Sequence, residues 1–182
     1  MEIIFLWDFT EKLHRFYKCL QTLHKLNNND DLSHIKLEKK VKDNGLCKKF
    51  SARLTEEECR RILAGDTEWM MDHPKALVQE LYVKMKSGPL RPKVLVSYVR
   101  EPYVYAPGNV RVTFDSQLRT GGLHRKFLEP SVQDISATDT PDTMLMEVKY
   151  DDYLPEIIGK LVQTKGSRVQ AFSKYRVCRR FG

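Results

Sequence analysis

The chain has 182 residues, 41% hydrophobic and 30% charged, which is enough for one domain with a real core and reads as a soluble globular protein, not a disordered one. No run approaches the roughly 20 apolar residues of a spanning helix, so no membrane span is expected. Net charge is +7, from 31 Lys and Arg against 24 Asp and Glu, and favours a polyanionic partner without specifying which.

The opening run MEIIFLWDF is apolar but has neither a basic leader nor a small-residue cleavage site, so it does not read as a signal peptide. Leu13, Phe16, Tyr17, Leu20 and Leu23 then recur at helical spacing, and Asp8 with Glu11 fits a capping box. The spacing predicts a helix from about Phe9 to Leu26, closed by the polar run Asn27 to Asp31. Residues 1–31 read as a separate, atypical segment ahead of a domain over 32–182. Cys19, Cys47, Cys59 and Cys178 are scattered, with no C-x-x-C pair. That pattern gives neither a zinc site nor a disulfide framework, and suits a reducing cytoplasm.

From Ile35 the pattern changes to strand, with Lys36, Glu38 and Lys40 of IKLEKK on one parity. Asp43-Asn44-Gly45 signals a turn, and Leu46 to Ala52 returns as a hairpin partner carrying Lys48 and Lys49. Thr55 with Glu58 forms a second capping box, opening a helix through about Ala64, with Gly65 as its stop. Trp69 to Met71 and Ala76 to Met85 read as further helix around Pro74. Trp69, Met70, Met71, Leu77 and Leu81 are read as core.

The centre is KVLVSYVREPYVYAPGNVRVTFDS, from Lys93 to Ser116. Val94, Val96, Tyr98 and Arg100 share a parity in its first half. Arg111, Thr113 and Asp115 share one in its second. An antiparallel pair carrying Arg100 and Arg111 to a common surface follows, with Pro102 and Pro107-Gly108 in the link between the halves. Gly121-Gly122 marks a turn, Leu123 to Leu128 a short strand, and residues 130–143 a polar loop. TMLMEVKY alternates again, with Leu145, Glu147 and Lys149 on one face. Pro155 opens a helix to about Gln163, and the tail carries Ser173, Lys174 and Arg176.

The fold class is therefore α+β, built on antiparallel strands with flanking helices. Taken one at a time, Glu147 with Lys149 reads as an ion pair on a wet face, and Lys36 and Lys40 as lysines blunting an edge. Taken together, the charged parities repeat across four strand segments. If the sheet curled into a barrel, such basic groups would repel strongly unless carboxylates and a bound polyanion interleaved with them. Arg suits forked contact with phosphate oxygens, and Lys supplies point charge. A nucleic-acid-binding β domain would interleave stacking aromatics rather than carboxylates, so no nucleic acid is expected.

IKLEKK followed by NGLCKKFSARLT, then YVREPYVYAPGNVRVTFD, LMEVKYDDYLP and AFSKY make the chain resemble the VTC (vacuolar transporter chaperone) domain. This is the polyphosphate polymerase branch of the triphosphate tunnel metalloenzymes. The resemblance runs from about Ile35 to Tyr175. It implies an antiparallel β tunnel that binds nucleoside triphosphate and polyphosphate and moves the terminal phosphate to a growing chain, with Mn2+ or Mg2+ as cofactor. The resemblance implies catalytic roles for Lys40, Arg100, Arg111 and Lys174, and phosphate contacts for these and for Lys36, Lys48, Lys49, Lys149 and Ser173. It implies metal binding by Glu38 and Glu147. Family members begin with a lysine-bearing strand and an R-x-R-type strand, and residues 1–31 resemble neither. The expected tunnel is accordingly incomplete, with one open wall, and the alternative function is a non-catalytic triphosphate-binding module.

Overall fold

The structure is a computed structural model and describes residues 2–7, 21–23, 35–43, 46–88, 90, 92–121, 135–137, 143–164, 169 and 171–181. Its strands are β1 (Glu2–Trp7), β2 (Gln21–Leu23), β3 (Ile35–Asp43), β4 (Leu46–Arg53), β5 (Pro92–Tyr105), β6 (Val110–Gly121), β7 (Ile135–Ser136) and β8 (Leu145–Lys149). They pair antiparallel in the order β4-β3-β2-β1-β5-β6-β7, with β8 also on β6. Among the described residues no pairing joins the two ends of this path. The tunnel expected from the resemblance is therefore an open sheet over these residues.

The two hairpins form where the alternation and turn residues place them. β3 pairs with β4 from Lys36↔Arg53 to Asp43↔Leu46. β5 pairs with β6 across a 3-10 turn, Pro107–Asn109, in which Gly108 takes φ +73° and Asn109 takes φ +47°. A Cβ at Gly108 would stand 2.6 Å from the Tyr153 carbonyl oxygen, so only glycine lets the chain after β8 lie against this turn. Asp151 N–H donates to the Gly108 carbonyl at 3.2 Å and fixes the same contact. Pro102 sits inside β5, opposite Thr113, rather than in a link between halves. β1 pairs with β5 only from Pro92 to Tyr98, so beyond Tyr98 no second described strand needs donors from β5.

Helices α1 (Glu56–Ala64) and α2 (Ala76–Ser87) cover one side of the sheet. The capping box at α1 is formed: Glu58 N–H donates to Thr55 Oγ1 at 3.1 Å, and Thr55 N–H to Glu58 Oε2 at 2.7 Å. Gly65 ends the helix in the left-handed region at φ +81°. Ile35, Leu37, Ala52, Leu54 and Leu95 of the sheet side pack with Cys59, Ile62, Met70, Val78 and Leu81. Each large side chain buried in this way contributes about 1.5–3 kcal/mol before entropy. Met70 is fully buried, but Met71 is 53% exposed and is not core, because the segment is a single 3-10 turn, Glu68–Met70, that aims it outward.

The first 31 residues behave differently from their sequence pattern. β1 and β2 lie between β5 and β3 in the sheet, so Gln21–Leu23 is strand where the helical spacing predicts helix. Pairing on both flanks, Ile4↔Gln21 and Gln21↔Lys36, takes up backbone groups that a helix would satisfy internally. The remainder of the expected helix, the Asn44-Gly45 turn and the expected strand at Leu123 to Leu128 fall outside the described residues. Pro155 caps α3 (Glu156–Leu161) as expected, and α4 (Lys174–Cys178) is a helix the sequence pattern does not announce.

Candidate functional site

Directly paired residues of neighbouring strands share a face, so the registers identify which charged residues look the same way. Lys36↔Gln21, Gln21↔Ile4 and Ile4↔Val96 put Lys36, Glu38 and Lys40 on the face of Val96, Tyr98 and Arg100. Arg53, Ser51 and Lys49 lie opposite Lys36, Glu38 and Lys40. Across the central hairpin, Arg100↔Asp115, Pro102↔Thr113 and Val104↔Arg111 extend that face. Thr113↔Glu147 and Arg111↔Lys149 carry it to β8. This is the side turned away from α1 and α2. Lys48 pairs with Val41 and has the opposite parity, so the phosphate contact expected for it is not supported by its position. The strand period of two allows Lys48 or Lys49 on the shared face, and the register selects Lys49.

The best-defined cluster is centred on Asp115, whose side chain is 2% exposed. Arg100 Nε and Nη2 donate to its two oxygens at 2.6 and 2.7 Å. Lys174 Nζ, at the start of α4, reaches Asp115 Oδ2 at 2.6 Å. Burial alone pushes the Asp115 carboxyl up, but the hydrogen bonds from Arg100 and Lys174 outweigh it and hold the group below the usual carboxylate range. Beneath them lies the buried Tyr98 ring, 5.1 Å from Arg100 Cζ and 4.7 Å from Lys174 Nζ. α4 is held over the sheet by a second core cluster, in which Cys178, Tyr175 and Val177 pack on Val94, Val96, Tyr98 and Leu118.

A bulge keeps β6 in phase with this arrangement. Between the pairs Ser97↔Arg119 and Val99↔Ser116, β6 holds one more residue than β5, and Gln117 takes φ +51°. Arg111, Thr113 and Asp115 before the bulge, and Leu118 and Thr120 after it, therefore share one face. Asp115 was not singled out from sequence as a site residue. Its signal was present, because counting back equally from Tyr105 and Val110 at the turn brings Arg100 opposite Asp115. Thr113 was also missed: it is buried, and its hydroxyl has no hydrogen-bond partner among the described residues.

The remaining residues divide into neutralised and open ones. Glu38 is buried and pairs with Lys49 at 2.6 Å, and Glu147 is half-exposed with Lys149 at 3.1 Å. Lys36, Lys40 and Arg111 make no ion pair among the described residues. Arg111 and Lys149 line a cleft of about 640 Å³ at the hairpin tip, with Val104, Asn109, Val148, Tyr150 and Asp151. Ser173 caps α4, its hydroxyl accepting from Arg176 N–H at 3.3 Å, so a local structural role already occupies it. Glu38 on β3 and Glu147 on β8 are separated in the sheet by β2, β1, β5 and β6. No three His, Cys, Asp or Glu side chains among the described residues come together as a cation cage.

The sequence pattern of the VTC domain matches residues 12–181. The chain belongs to the VTC domain family. The match begins inside the segment where the sequence reading found no family element, ahead of β2. Membership in the VTC family points to a polyphosphate-related function, which the cationic face suits. No curated protein matches the chain. Among the described residues no helix is long and apolar enough to cross a membrane.

Proposed function

We propose that this VTC domain protein handles polyphosphate as a polymerase does, moving the terminal phosphate of a nucleoside triphosphate onto a growing chain. The observation that supports this is the common sheet face on which Lys36, Lys40, Lys49, Arg100, Arg111 and Lys149 meet Lys174 from α4. In the transfer, a terminal oxygen of the acceptor chain attacks the γ-phosphorus. The bond to the β–γ bridging oxygen breaks and the nucleoside diphosphate leaves. Such a reaction needs positioning and charge compensation more than covalent chemistry, and Lys40, Arg100, Arg111 and Lys174 supply fixed positive charge. The buried Asp115 is a positioning residue that holds Arg100 and Lys174 in one geometry.

The divalent cation implied by the resemblance, Mn2+ or Mg2+, has no protein-built cage among the described residues. Glu38 and Glu147 are already paired with lysines and lie on separated strands. Glu147, half-exposed on β8, would be the carboxylate that shares such an ion with substrate phosphates, where the ion would offset phosphate charge. A second reading, a non-catalytic triphosphate-binding module, is favoured by the neutralisation of Arg100 and Lys49 by internal carboxylates.

Incubation with ATP and manganese, followed by gel staining for polyphosphate, tests the two readings with Arg111→Ala alongside. Arg111 is exposed and makes no ion pair among the described residues, so its loss is expected to change stability by no more than about 0.5 kcal/mol. Chains from the wild type and none from the variant support transfer. Protection against unfolding by triphosphate without chain synthesis supports the binding module, and the absence of both overturns the proposal.

A further inference from the structure

The cleft at the hairpin tip has a composition that bare polyphosphate would not use. Its floor offers two cations, Arg111 and Lys149, directly paired on neighbouring strands. Its walls add an exposed aromatic ring, Tyr150, and the exposed Val104. Its rim carries an amide and a carboxylate, Asn109 Nδ2 donating to Asp151 Oδ2 at 2.9 Å. The walls are anchored, because the Asp151–Gly108 backbone bond and the close approach of Tyr153 tie the chain after β8 to the turn. A ligand matched to all of these has an oxyanion end, a flat apolar body, and hydroxyl or amine groups between. A nucleoside triphosphate has that order of parts.

We propose that this cleft takes the nucleoside end of the phosphate donor, a placement that rests on the polyphosphate reading above. The base stacks on Tyr150 and Val104, the sugar meets Asn109 and Asp151, and Arg111 and Lys149 receive the first phosphates. The phosphate chain then runs along β6 over Thr113 toward Arg100 and Lys174. Arg111 and Asp115 are four residues apart on β6, about 13 Å at a strand's rise per residue. Midway sits Thr113, buried on the same face. Asp151 at the rim repels phosphate and so disfavours the reverse orientation.

The test compares the affinities of an imido-bridged ATP analogue and of inorganic triphosphate, for wild type, Tyr150→Ala and Tyr103→Ala. Tyr103 is the control, being exposed on the opposite face of the same hairpin. Base stacking predicts about a 10-fold loss of nucleotide affinity in Tyr150→Ala with triphosphate binding unchanged, and no change in Tyr103→Ala. Equal losses for both ligands, no loss, or a loss confined to Tyr103→Ala overturns the placement while leaving the polyphosphate reading intact. A wild type that binds neither ligand overturns both.

Discussion

Replacing Asp115 by Asn keeps the volume of the side chain and removes its charge. Arg100 and Lys174 then face one another's charge across an amide that can accept through only one oxygen. Breaking a fully buried ion pair by removing one partner costs about 3–5 kcal/mol. Asp115 meets that description at 2% side-chain exposure, but Arg100 and Lys174 keep 24% and 23%, so water relieves part of the loss. The expected cost is about 2–3 kcal/mol. For a chain of this size that lowers the melting temperature by about 4–12 °C. Thermal melts followed by circular dichroism near neutral pH, at low and high salt, measure it. The difference should persist in high salt, since buried pairs are screened less than surface ones. The pH dependence has a fixed sign. The Asp115 carboxyl is held below its usual range, so its contribution is present above the unfolded value and lost as pH falls through the folded one. Wild type and variant should therefore converge below about pH 4 and not at alkaline pH. A shift smaller than about 1 °C, or one that high salt abolishes, would refute the idea that Asp115 pins α4 to the hairpin.

Gly108→Ala combines a left-handed residue with a Cβ 2.6 Å from the Tyr153 carbonyl oxygen, and should destabilise the protein by about 1–3 kcal/mol in urea unfolding. An unchanged midpoint would mean that the chain after β8 does not bear on the turn. Burial raises the Cys59 thiol to about 12 and the Cys178 thiol to about 11. Both should resist alkylation in the native protein at mildly alkaline pH and react only after unfolding, as peptide mass mapping will show. Native labelling of either at the rate of a free thiol would contradict its burial.

Local signals in the sequence carried much of this structure. The Thr55–Glu58 box, Gly65, and the alternation through Lys36–Lys40 and Arg111–Asp115 depend on neighbours within a few residues, and each appears as expected. β1 and β2 were illegible for the opposite reason. Besides each other they pair with β5 and β3, and a short apolar run such as EIIFLW does not by itself separate a buried strand from a buried helix. Lys48 and Lys49 could not be separated without a register, and Met71 could not be separated from Met70 without knowing how short the turn was. The gathering of cationic side chains was read from parity plus resemblance. The part that locks them together, Asp115 with a lysine from α4, needed the tertiary path of the tail.

The shortness of α4 has a dynamic consequence. Five residues cannot sustain a helix alone, so α4 is ordered by the sheet it sits on. The same residues close the apolar cluster around Val96 through Cys178 and deliver Lys174 to the charged one. Opening this segment would expose core and withdraw Lys174, the proposed phosphate contact, in a single event. Occupancy of the cationic face and protection of the amides from Lys174 to Cys178 are therefore two readings of one equilibrium. In hydrogen exchange, a polyanion bound as proposed would announce itself at α4, away from the hairpin tip where its first phosphates are placed.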